Sequence, residues 1–82
     1  MNQELVKEII VVLQENISNL KSINLEGDTP LISSGLVESI DFIDILSVLE
    51  GRYNIVLEVD TLDFGNFESA NLITKMVSEL VA

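Results

Sequence analysis

The reading of one stretch decides the fold: SSGLVESIDFIDILSVLEGRY, Ser33 to Tyr53. From Ser39 onward, Phe42, Ile45, Leu46, Leu49 and Tyr53 recur at three- and four-residue steps, which predicts an amphipathic helix. It starts about Ser39 and runs to Glu50 or Gly51, with Gly51 and Asn54 as places to stop. Ile40 and Ile43 fall on a neighbouring stripe with Ser47, while Asp41, Asp44 and Glu50 occupy the remaining surface. A surface helix needs one apolar stripe, so Ile40 and Ile43 are in excess. Either they pack under the preceding loop, or they form an apolar anchor within a negative rim, suited to docking a partner. Ser39 is equally open. It is a helix N-cap contributing ~1 kcal/mol, or a phosphate ester hangs from it. An ester there would meet the free N–H groups and positive end of the helix, and a flexible SSGLVE approach would admit a modifying enzyme.

Upstream, Leu5, Val6, Ile9, Ile10, Leu13 and Ile17 share one helical face, with Glu4, Lys7, Glu8 and Glu15 opposite. This predicts a first helix capped by Asn2 and ending near Asn16 to Asn19. From Ser18 to Val37 the period breaks. Gly27, Asp28, Pro30, Ser33, Ser34 and Gly35 are turn formers, and Pro30 pushes Thr29 out of helical space. Loops of this length are commonly functional or packed by their own side chains. Ile23, Leu25, Leu31, Ile32 and Leu36 supply that packing here.

Downstream, NIVLEVD reads locally as a strand by its β-branched content. A single strand has no partner, so an extended connection ending at Asp60 is expected. DTLDF is expected to make one or two helical turns, capped by Asp60 or Thr61 and closed at Gly65. Leu72, Ile73, Met76, Val77 and Leu80 mark a last helix starting at Glu68 or Ser69. The expectation is an all-α fold: one domain over residues 1–82, three main helices plus one short one, and a long loop between the first two.

The chain has 82 residues, 48% of them hydrophobic, so it can build one core but not two. Its longest apolar run, Ile9 to Leu13, falls far short of a membrane span, and no secretory signal opens the chain. With no cysteine, disulfides, thiolate nucleophiles and cysteine metal sites are excluded, and a cytoplasmic location is expected. Fourteen acidic against four basic residues give a net charge of −10. That charge repels nucleic acid and anionic membrane and favours a basic protein surface. Histidine is absent too, so the usual general base and the commonest metal ligand are missing. NLEGDTP lacks EF-hand spacing. No metal site, no catalytic residue and no intrinsic enzymatic activity are expected.

Gly35-Leu36-Val37-Glu38-Ser39-Ile40-Asp41, running into FIDILSVLE, resembles the acyl carrier proteins, including the peptidyl and D-alanyl carriers. Their signature is a Gly-Leu turn, an Asp-Ser-Leu centre and an acidic amphipathic helix. DTPLISSGL looks like the family's approach to the serine, and DFGNFESANLI like its passage from third to fourth helix, so the similarity spans nearly the whole chain.

The resemblance implies that Ser39 carries 4′-phosphopantetheine, transferred from coenzyme A by a phosphopantetheinyl transferase. The arm's thiol would hold an acyl or aminoacyl group as a thioester. It implies that Glu38, Ile40, Asp41, Ile43, Asp44 and Ser47 form the face that meets basic patches. Those patches would lie on the transferase, an acyl- or aminoacyl-loading ligase and later pathway enzymes. A monomer is expected. Apolar space among the helices, lined by some of Leu5, Ile9, Phe42, Leu46, Leu49, Tyr53, Phe64 and Leu72, would shelter the cargo.

Glu38 stands where the family usually has Asp, Ile40 where Leu is commonest, and Ser47 where an apolar contact is frequent. With Arg52 after the helix, these departures point away from the housekeeping fatty-acid carrier and toward a specialised pathway. The competing reading is an acidic helical module that docks through its second helix without any modification.

Overall fold

A computed structural model describes residues 3–58, 60 and 62–81. The periodic segments form three α-helices: α1, Gln3–Asn16; α2, Ser39–Tyr53; and α3, Ala70–Val81. Short 3-10 turns at Ser18–Leu20 and Phe64–Phe67 lie between them, and Asp60 is in 3-10 conformation too. No strand occurs among the described residues; after Asn54, residues 55–58 belong to no helix or strand. The expected caps Asn2 and Thr61 lie outside the described residues.

α1 packs against both α2 and α3, and α3 also packs on the Phe64–Phe67 turn. Val6, Ile9 and Leu13 of α1, Ile45 and Leu49 of α2, and Ile73 and Val77 of α3 meet in one core. The radius of gyration, 11.5 Å, matches the roughly 12 Å expected of one compact domain of this length. No helix among the described residues is long and apolar enough to cross a membrane.

The long loop is built as its apolar content predicts. Leu20, Leu25, Leu31 and Val37 are buried in the core, and Ile23, Ile32 and Leu36 pack against it. Its backbone is tied down by one side chain of α1 and one of its own. The Gln14 amide donates to the Leu20 and Ile23 carbonyls at 3.1 and 3.0 Å. Asn19 Nδ2 donates to the Leu36 carbonyl at 3.2 Å.

Two boundaries differ from expectation. α2 continues to Tyr53 and stops at Asn54, which adopts the left-handed conformation (φ 54°, ψ 49°) that Asn tolerates. Gly51 lies inside the helix and does not end it. A short 3-10 turn occupies Phe64–Phe67, continuing past Gly65, and its cap is Asp63, whose Oδ1 accepts from Gly65 N–H at 2.9 Å; Asp60 is also in 3-10 conformation. The Phe64–Phe67 turn places Phe64 beside Phe42 and Phe67 beneath it. Their ring centroids stand 5.0 and 5.4 Å from Phe42 in edge-to-face geometry, the favoured arrangement for aromatic pairs. All three phenylalanines of the chain therefore form one cluster.

Candidate functional site

Helix α2 begins where expected, but its cap is not Ser39. Glu38 is the N-cap, in extended backbone conformation, and Ser39 is the first helical residue. The cap closes from the other side: Asp41 Oδ2 accepts from Glu38 N–H at 3.0 Å, while Asp41 N–H donates to the Glu38 carbonyl at 3.0 Å. This is the returning half of a capping box. The Ser39 side chain is left exposed with no hydrogen bond to a described residue. Of the first-turn N–H groups, Asp41's is taken by the Glu38 carbonyl, and those of Ser39 and Ile40 have no intrahelical acceptor.

The approach to Ser39 is a sequence of turns and not a loose tether. Gly35 holds φ +82°, a backbone region that side-chain-bearing residues rarely enter. Gly35 N–H donates to the Ile32 carbonyl at 3.1 Å, and Val37 N–H to the Leu31 carbonyl at 2.9 Å. Ser34 Oγ donates to the Pro30 carbonyl at 2.6 Å and accepts from Leu36 N–H at 3.3 Å.

Ile40 and Ile43 stand 71% and 67% exposed, so they do not pack under the loop. With Asp44 and Ser47, also exposed, they occupy positions one helical turn apart on a single face. Glu38 is exposed at the top of that face, and Asp41 is half-buried and engaged in the cap. The structure therefore places five of the six expected face residues in solvent and gives the sixth a structural duty.

Beside Ser39 lies an apolar groove of about 420 Å³, lined by Ile32, Ser39, Phe42, Ile43, Leu46 and Phe64. The spacing of Ser39, Phe42, Ile43 and Leu46 puts them along one side of α2. Phe64 forms the opposite wall and is 54% exposed. Of the residues expected to shelter a cargo, Phe42, Leu46 and Phe64 line this groove. Ile9 and Leu49 are fully buried in the core, and Leu72 lines a separate depression with Lys75 and Leu80. Ile32 could not be assigned to the groove from spacing, because a loop residue has no periodicity.

Two polar clusters frame the site. At the far end of α2, Glu8 Oε1 accepts from Tyr53 Oη at 2.8 Å and from Arg52 Nε at 3.3 Å, tying α2 to α1. Desolvation, followed by the bond to Glu8, pushes the Tyr53 hydroxyl up to about 12. That same bond, first, and then Arg52 hold the Glu8 carboxyl below its ordinary value against some desolvation.

Near the groove, Glu68 Oε1 accepts from Ile32 N–H at 2.8 Å and Ser33 N–H at 3.0 Å. The Glu68 carbonyl accepts from Leu31 N–H at 2.7 Å. The Ser33 bond first, then that from Ile32, hold the Glu68 carboxyl below its ordinary value, against an opposing desolvation. Glu68 was expected only as a possible start of α3. That role belongs to Ser69, whose Oγ accepts from Leu72 N–H at 3.2 Å.

Among the described residues, no three acidic, histidine or cysteine side chains converge as a metal site. In comparison with known proteins, no family model matches the chain and no curated protein matches it.

Proposed function

We propose that the chain is a carrier protein of the acyl-carrier type, with 4′-phosphopantetheine esterified to Ser39. The observation that supports this best is the Ser39 hydroxyl itself. It is exposed, uncommitted, at the first position of a 15-residue helix, and opens onto an apolar groove. A serine kept for capping would spend its oxygen on the helix N–H groups; here Glu38 and Asp41 close the end and leave Ser39 spare. The three-helix arrangement with its long, packed first loop and short 3-10 turn agrees with the bundle expected of such a carrier.

The residues fit the group. An ester phosphate on Ser39 would be received by the N–H groups of Ser39 and Ile40, which have no intrahelical acceptor, Asp41 N–H being taken by the cap. The groove between Phe42, Leu46 and Phe64 offers apolar surface to whatever lies against it. The bound arm would supply a terminal thiol, on which an acyl or aminoacyl group is held as a thioester.

The chain's own part is to present Ser39 and to be recognised. Ile40 and Ile43 give an apolar anchor, and Glu38, Asp44 and the other acids of this −10 protein give the rim. Basic patches on a phosphopantetheinyl transferase, a loading ligase and later pathway enzymes would complement that rim.

The second reading, an unmodified acidic docking module, draws on the same exposed isoleucines and does not need Ser39. Intact mass separates the two. Wild type and Ser39→Ala are incubated with coenzyme A, magnesium and a broad-specificity phosphopantetheinyl transferase. Gain of one phosphopantetheine in wild type alone is the expected result. No gain in folded wild type, with an active transferase control, refutes the carrier reading in favour of the module.

A further inference from the structure

We infer that Glu68 is a positioning residue for the serine site: a clasp that sets where Ser39 stands relative to the apolar groove. The inference rests on the carrier reading for its consequence, but its geometry does not depend on it.

Glu68 follows the Phe64–Phe67 turn, which supplies one wall of the groove, and precedes α3. Its carboxylate grips the backbone of Ile32 and Ser33, and Ile32 is a wall residue of the same groove. One acid, 36 residues along the chain from Ile32, thus ties that wall to the segment that carries the Phe64 wall. Its own carbonyl takes the N–H of Leu31, making three successive N–H groups of the loop, Leu31 to Ser33, directed at one residue.

The grip extends to Ser39 through the backbone. The Leu31 carbonyl accepts from Val37 N–H, and the Ile32 carbonyl accepts from Gly35 N–H. Leu31 and Val37 are both buried in the core, so this pair cannot slide without exposing apolar surface. Val37 is followed directly by the Glu38 cap and Ser39. The carboxylate's path runs from Glu68 to Ile32 and from the Ile32 carbonyl to Gly35. The step from Leu31 to Val37 starts at the Glu68 backbone carbonyl, which side-chain variants keep, so Val37 feels the carboxylate only through the shared loop backbone.

A surface glutamate serving only solubility would not need this geometry. An acceptor that receives two consecutive backbone N–H groups fixes the direction of the chain there, as nests and caps do. Chain direction at Ile32 and Ser33 is what determines whether Ile32 faces Phe64 across the groove.

The test uses Glu68→Ala, Glu68→Asp and Glu68→Gln in the full chain. Amide hydrogen exchange is followed by NMR at Ile32, Ser33 and Val37, with Val12 and Val77 as references. The size of one net hydrogen bond sets the expected effect, about tenfold in protection for each.

Glu68→Ala and the shorter Glu68→Asp should lose about tenfold at Ile32 and Ser33 and a smaller factor at Val37, with the references unchanged. Glu68→Gln keeps an acceptor oxygen of the same reach and should restore most of the protection. In parallel, kcat/KM for phosphopantetheine transfer to Ser39 should fall in the first two variants and recover in Glu68→Gln.

Unchanged protection at Ile32 and Ser33 in folded Glu68→Ala or Glu68→Asp overturns the clasp. Lost protection with an unchanged transfer rate overturns its role in positioning Ser39. If wild type accepts no phosphopantetheine, the carrier reading fails alone. Unchanged exchange at Val37, the last step before Ser39, would then overturn the positioning role.

Discussion

Ile43 and Ile45 lie two residues apart on α2, about 200° apart around the helix axis, and the structure assigns them opposite work. Ile45 is 1% exposed in the core, whereas Ile43 is 67% exposed and touches only the lip of the groove. Truncation of each to alanine separates the two roles. Removing a buried isoleucine side chain costs about 2–5 kcal/mol, the transfer loss plus the cavity left behind. Full burial of an isoleucine side chain stabilises by about 1.5–3 kcal/mol, and only a third of Ile43 is buried, so its truncation should cost roughly 0.5–1 kcal/mol.

A domain of this length has about 4–12 kcal/mol of stability in total, so Ile45→Ala consumes a large part of it and Ile43→Ala little. Urea unfolding followed by far-UV circular dichroism at fixed pH and salt reads both, as shifts of the midpoint at constant slope. Loading of Ser39 by the transferase should be impaired by Ile43→Asp without unfolding. Equal costs for the two alanine variants would refute the argument. Ile43 would then be a core residue, and the apolar anchor on which the docking face depends would not exist.

Other outcomes follow from single residues. Ser39→Ala should change stability by less than about 0.5 kcal/mol, since its hydroxyl caps nothing; a loss of 1 kcal/mol or more in urea unfolding would restore Ser39 as the cap. Gly35→Ala meets no atom within 4 Å, so its cost should be purely conformational, about 1–2 kcal/mol for a side chain at positive φ, again read by urea midpoint. Tyr53 is the only tyrosine and there is no tryptophan, so its ultraviolet absorbance titration is unobscured. Its midpoint should approach 12 in wild type and fall only part of the way toward the ordinary tyrosine value in Glu8→Gln, because desolvation, the larger cause, remains. Because the folded state holds that proton more tightly, stability is full below the ordinary tyrosine value and is lost as pH rises through the folded one. Glu68 has the opposite sign. Its lowered folded value means that its stabilisation is present above the ordinary carboxylate value and is lost as pH falls through the folded one. Wild-type and Glu68→Gln unfolding midpoints should therefore converge on acidification, and parallel pH profiles would contradict the bonds to Ile32 and Ser33.

The helical faces were legible in the sequence because burial on one side of a helix leaves a period in the chain. The apolar steps of α1 and α2 mark faces that the structure buries or half-buries; on α3, Ile73 and Val77 are buried with Ala70 and Thr74, while Leu72 and Leu80 of the expected stripe are exposed. The loop's own apolar residues were legible for a related reason: Leu25 and Leu31 in a segment rich in turn formers have no business in solvent. Less was legible at the ends. Composition at Ser39 suggests a cap, yet the cap is a reciprocal arrangement of Glu38 with Asp41. Which of two adjacent polar residues takes the cap position depends on where the preceding turn delivers the backbone.

By itself, then, the sequence determined the class of fold, the order of its helices, the excess of apolar residues on α2 and the acidity around them. Each is a property of spacing or composition, carried by neighbours in the chain. Tertiary structure decided that Ile40 and Ile43 face solvent and not the loop, that Ile32 and Phe64 meet across a groove beside Ser39, and that Glu68 holds that meeting in place. Those contacts join residues up to 36 positions apart, and no local period records which distant backbone a carboxylate will reach.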